Sequence, residues 1–129
     1  MDIGTISFLH ARLANTALLF CIAVMLWSFY LYFRRKELDS SYFGAVVICE
    51  LLFVVQAVLG VILYAQGLGG LVRWVHILYG ILALISIPAV YVFTKGRTTY
   101  YEALLYALTM AFLVGVIIRA NTTTYLTGV

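Results

Sequence analysis

The chain has 129 residues, 65% of them hydrophobic and 10% charged, with a mean hydropathy of +1.09 and a net charge of +3. A water-soluble core of that length buries far less apolar surface, so a soluble domain is excluded and an all-α integral membrane protein is expected. The small cationic excess needs no nucleic acid to explain it, because the topology signal described below uses it up.

Crossing a hydrocarbon layer of about 30 Å takes roughly 20 apolar residues in a helix. Uncharged runs bounded by charges extend from Leu13 to Phe33, Leu51 to Val72, Trp74 to Thr94 and Ala103 to Ile118. With the first two extended outward past Arg12 and Glu50, the spacing predicts helices over about 6–33, 43–64, 71–94 and 100–119. The connections "RRKELDSS", "AQGLGGLV" and "TKGRTTYYE" are short enough to force antiparallel neighbours. The expected architecture is therefore a single four-transmembrane-helix up-and-down bundle over residues 1–129. The first span lacks a basic leader and a small-residue cleavage site, so it reads as a retained helix.

Orientation follows from the cations. Arg34, Arg35, Lys36, Lys95 and Arg97 fall at one end, against Arg12, Arg73 and Arg119 at the other. The richer side is normally cytoplasmic, which puts loops 34–42 and 95–99 inside and both termini outside, in what is expected to be a prokaryotic cytoplasmic membrane. Aromatic residues agree: Tyr30, Tyr32, Tyr91, Tyr100 and Tyr101 mark the inner interface, Tyr64 and Trp74 the outer one.

Two histidines interrupt the apolar runs. Helices 1 and 3 run in the same direction and meet His10 and His76 early, so both imidazoles are expected near the outer face. His10 lies about 36 Å from Arg34 and His76 about 28 Å from Lys95 along their helices, a difference for tilt or a longer helix 1 to absorb. Polar groups at membrane depth are costly and usually functional, and imidazole is an axial ligand of haem iron. A pair on non-consecutive helices suits one b-type haem held edge-on by two histidines. Intramembrane histidines also hydrogen-bond neighbouring helices, and two can do so independently.

Small residues flank both histidines. His10, Ala14, Ala17 and Cys21 share one helical face, as do His76, Gly80 and Ala83; Gln56 and Gly60 sit four apart on helix 2, and Gly115 precedes Arg119 by four. Such residues make room for a flat macrocycle, and they equally allow close helix packing. Arg12, Arg73 and Arg119 lie at the same face, where guanidinium groups suit haem propionates or anchor to lipid headgroups. Glu50 falls near mid-bilayer, where a charge is expensive enough that a neutral or paired carboxyl is expected, either relaying protons to a quinone or bonding a neighbouring helix. Cys21 and Cys49 fall at similar depth and are expected to be neighbours that behave as small apolar residues. Pro88 marks a kink in helix 3. No phosphate loop, zinc signature or Ser-His-Asp set occurs.

The order "LHARLA", "VQAVLGVIL", "VHILYGILA" resembles one half of haem A synthase, in which a helix bearing His-Arg is followed by a helix with Gln-x-x-Leu-Gly and by another beginning with a ligand histidine. The resemblance covers roughly residues 8 to 85 and implies a b-type haem ligated by His10 and His76 within a four-helix unit. The catalytic half of that family carries a glutamate one turn before its His-Arg histidine. Ile6 and Ser7 stand there in this chain, and Arg12 follows His10 with one residue between. The expectation is thus a single-haem electron-transfer or haem-handling module rather than an enzyme that oxidises a haem methyl group. Lipid is the expected surrounding, with quinone, a second copy packed through Gly44 or Gly115, or a larger membrane complex as expected partners. The alternative is a non-catalytic small subunit of a respiratory or photosynthetic complex.

Overall fold

The structure, a computed structural model, describes residues 3–66 and 74–121. Four helices follow one another: α1 (Ile3–Phe33), α2 (Ser40–Ala65), α3 (Trp74–Thr94) and α4 (Tyr100–Asn121). All four are long and apolar enough to cross a membrane. The chain is an up-and-down bundle, with His10, His76 and the end of α4 at one end, called the histidine end, and the loops after α1 and α3 at the other, the basic end.

Helix bounds differ from expectation where local capping decides them. α2 starts at Ser40, three residues before the predicted 43, because Asp39 caps it: its carboxylate accepts from the Tyr42 backbone N–H at 2.9 Å. α1 likewise begins three residues early, and α4 runs two residues beyond 119. The predicted start of α3 at 71, and the loop before it, lie outside the described residues.

The ends of α1 and α3 are built alike. Lys36 N–H reaches back to the Leu31 carbonyl at 2.9 Å, and Gly96 N–H to the Tyr91 carbonyl at 3.2 Å, which closes each last turn with a six-residue hydrogen-bonded loop. That closure needs left-handed backbone, found at Arg35 (φ 53), Lys95 (φ 53) and Gly96 (φ 71). The two loops then join through Leu38 N–H to the Thr98 carbonyl, 2.8 Å. Beside them Glu102, buried in the first turn of α4, accepts from Thr99 Oγ1 at 3.0 Å and from Arg97 Nε at 3.3 Å. A carboxylate is well placed there, where the unpaired amides of the helix start carry partial positive charge.

Around the bundle, α1 packs on α2 and α4, and α3 packs on α4 and α2, so α1 faces α3 diagonally across the interior. The buried positions form stripes at three- and four-residue spacing: Ala17, Cys21, Val24, Ser28 and Leu31 on α1, Tyr42, Val46, Cys49 and Phe53 on α2, and Ala103, Tyr106, Met110, Leu113 and Ile117 on α4. α1 and α4 make the most extensive contact and α2 and α3 the least. Alanines at 17, 103 and 107 leave little side-chain bulk between the first pair, which lets their backbones approach. Large apolar side chains such as Leu19, Val47, Val58, Val61, Val92 and Phe93 point outward, the surface that lipid requires. Gly44 and Gly115, expected on a self-association face, also lie exposed with open space around them.

Buried polar groups concentrate toward the basic end. Ser28 donates to the Val24 carbonyl at 2.7 Å and so presents its oxygen to the Tyr42 hydroxyl, a bond joining α1 to α2. Tyr42 stands edge-on to Trp27, Phe43 and Tyr106, and Phe43 edge-on to Tyr91, so one aromatic cluster draws on all four helices.

Candidate functional site

His10 sits in the second turn of α1 and His76 in the first turn of α3, on helices whose backbones do not touch. Their rings nevertheless meet across the interior, with centroids 6.4 Å apart and planes inclined at 61°. Two imidazoles opposed on one metal have much the same spacing. A metal–nitrogen bond of about 2 Å, with about 1.1 Å from each nitrogen to its ring centre, puts the centroids roughly 6.2 Å apart. The inclination is no obstacle, since each ring turns freely about its own metal–nitrogen axis.

What fixes His76 is α4. Its Nδ1 lies 2.8 Å from the Ala120 carbonyl. A carbonyl only accepts, so Nδ1 carries the proton and Nε2 is the nitrogen with the lone pair, the tautomer and orientation found in metal-bound histidines. His10 is positioned by α2: a Cβ placed on Gly60 would lie 3.6 Å from His10 Cε1, so that glycine backs directly onto the ring. One turn away on the same face is Gln56. His10 Nδ1 and Gln56 Oε1 are closed to solvent without a hydrogen-bond partner among the described residues. Orphaned buried polar atoms are rare and costly, and they mark a place where a further polar group belongs. By the spacing of its rings, the imidazole pair suits two ligands of one metal, as a haem held by two histidines requires. Among the described residues no cluster of three or more His, Cys, Asp or Glu side chains forms a fully protein-ligated metal site.

The remaining candidates divide. Arg12 is two residues from His10, nearly half a helical turn round, and lies exposed over the Phe8 ring at 5.7 Å, so it is not brought to the imidazoles. Arg119 precedes Ala120 and shares the level of His76 on an exposed face of α4. Arg73 lies outside the described residues. Gly80 is exposed at the edge of the inward face of α3, and a methyl added there would meet nothing within 4 Å, whereas Ala83 is buried. Cys21 and Cys49 are neighbours as expected, both fully buried with Sγ atoms 3.1 Å apart as free thiols.

Three buried or bonded polar groups were not anticipated from the sequence. The Ala120 carbonyl has no side-chain signal that could announce it. Tyr42 and Tyr106 do carry a readable one: each falls on the buried three- and four-residue stripe of its helix, where a hydroxyl needs a partner. The chain matches no protein-family model, no curated protein and no solved structure. The resemblance to haem A synthase accordingly rests on its three short motifs.

Proposed function

We propose that the protein is a membrane b-type haem protein in which His10 and His76 supply both axial ligands to one haem near the outer face, serving electron transfer or haem handling. The observation that carries this is the meeting of two imidazoles, 6.4 Å between centroids, from helices that are otherwise diagonal and apart. A haem held by these two side chains would supply one-electron chemistry. The chain's own part is to orient and shield: Ala120 sets the His76 tautomer and Gly60 backs onto the His10 ring. With the basic loops on the cytoplasmic side, an electron donor reaches the haem from outside and a lipophilic quinone exchanges with the chain within the bilayer.

The test is a reduced-minus-oxidised spectrum of the purified chain expressed with ample haem supply. A Soret band and a sharpened α band on dithionite reduction are expected, and His10→Ala and His76→Ala each abolish them. An unchanged spectrum in either variant removes that ligand. The bond from His76 to Ala120 favours one second reading, because it joins α3 to α4 with no cofactor at all. In that reading the chain is a small structural subunit of a larger membrane complex, and the spectrum is featureless while His76→Ala loosens the bundle.

A further inference from the structure

The least intimate helix pair, α2 and α3, leaves a groove of about 690 Å³ between them, within the range of sites that hold small organic ligands. It begins beside Ser40 and Gly96 at the basic end and reaches Glu50 and Pro88 near mid-bilayer. Pro88 has no N–H for the Leu84 carbonyl and cannot close the α3 ladder there, which fits the looser seam. The walls are apolar, with the aromatic rings of Phe43, Tyr91 and Tyr106 along one stretch.

Two residues of this lining carry an enclosed oxygen, Glu50 Oε2 and Tyr106 Oη, that makes no hydrogen bond among the described residues. Tyr106 is fully buried, and the Thr94 hydroxyl beside it donates to the Tyr91 carbonyl at 3.2 Å. These atoms restrict the occupant. It must reach mid-bilayer from the lipid, so it is lipophilic. It must also bring hydrogen-bonding oxygens to that depth, which acyl chains lack and phospholipid headgroups, held at the interface, do not deliver. A flat ring fits between aromatic walls, and carbonyls on opposite edges match a phenolic O–H and a neutral carboxyl.

We propose that the α2–α3 groove binds the head group of a lipophilic quinone, with Glu50 and Tyr106 as its hydrogen-bonding residues. This deepens the quinone exchange proposed above and is independent of the haem: Glu50 and Gly60 are ten residues apart on α2, so the groove lies about 15 Å along the bundle from the imidazole pair.

The experiment uses the full chain in nanodiscs of saturated phosphatidylcholine, titrated with a 1,4-benzoquinone bearing a decyl chain, with binding read from quenching of the intrinsic tryptophan fluorescence. Saturable binding is expected in the native chain, with the dissociation constant raised about tenfold by Tyr106→Phe and by Glu50→Leu, each of which removes a donor. Tyr106→Phe keeps the ring and its packing, so it reports on the hydroxyl even if Glu50 variants fold poorly. Val47→Phe, which adds bulk to the groove lining without adding a tryptophan, weakens binding. His10→Ala removes the haem spectrum and leaves quinone binding intact, which separates failure of one site from failure of the other. Partitioning without saturation, equal binding in all variants, equal competition by a decyl chain without carbonyls, or closure of the groove in a dimer overturns the proposal.

Discussion

On α2, Gly60 backs onto the His10 ring. A methyl at position 60 meets Cε1 at 3.6 Å, an ordinary contact, so Gly60→Ala is expected to retain any haem spectrum. Gly60→Leu adds bulk beside the ring, and overpacking of this kind costs about 1–3 kcal/mol. Its expected outcome is a shifted or lost Soret band together with a lower thermal midpoint in detergent. At the opposite end, Asp39 satisfies the Tyr42 amide at the open start of α2. Asp39→Ala should destabilise the chain by about 1 kcal/mol, and Asp39→Asn should recover most of it, measured by thermal unfolding. His10, His76 and Gly60 were placed near the outer face from the sequence, and the structure brings these three together, with Gln56 one turn from Gly60 along α2. Arg12 was grouped with them, and there helical phase overrode proximity in sequence: a residue two positions from a ligand faces away from it.

Elements obey the same division between what is local and what is not. Helix existence was legible because long apolar runs admit no other secondary structure in lipid. Helix starts were less so, since a cap such as Asp39 adds residues that composition assigns to a loop. The ends of α1 and α3 both hold left-handed backbone, and a side chain there is strained by about 1–2 kcal/mol relative to glycine. Arg35→Gly is therefore expected to leave the bundle as stable or slightly more so. Gly96→Ala should lower stability by about 1 kcal/mol, because φ is 71 there and the added methyl meets Tyr91 Oη at 3.2 Å. Comparison of the two midpoints in one detergent checks both. Between elements, Ala107 is fully buried on α4, whose main partner is α1. Ala107→Leu inserts bulk where backbones are close and should cost about 1–3 kcal/mol.

At the scale of the whole molecule, the bundle is polarised. Cations gather at one end, in the loops after α1 and α3, while imidazoles, an enclosed amide and the end of α4 gather at the other. The belt between them exposes mainly large apolar side chains, and Ser28 and Tyr42 are enclosed within it. If the basic end is cytoplasmic, a cysteine placed at Lys95 in a chain whose own two cysteines are replaced by alanine reacts with a membrane-impermeant maleimide only in inverted vesicles. One at Gln66 reacts only in right-side-out cells. Reversed labelling would place the imidazole pair at the cytoplasmic face and with it any haem.

The sequence by itself determined the solvent, the number of spans, their antiparallel order and the common level of the two histidines. Each of these follows from composition and from distance along a helix, quantities that a linear chain carries in full. Only the tertiary structure decided which helices are neighbours and which diagonal, that the imidazoles face each other rather than lipid, that the Ala120 carbonyl anchors one of them, and that α2 and α3 part to leave a groove at Glu50 and Tyr106. Those outcomes depend on rotation of each helix about its axis and on how tightly each seam closes. Both are set by side-chain volumes on two helices at once, which no single stretch of sequence contains.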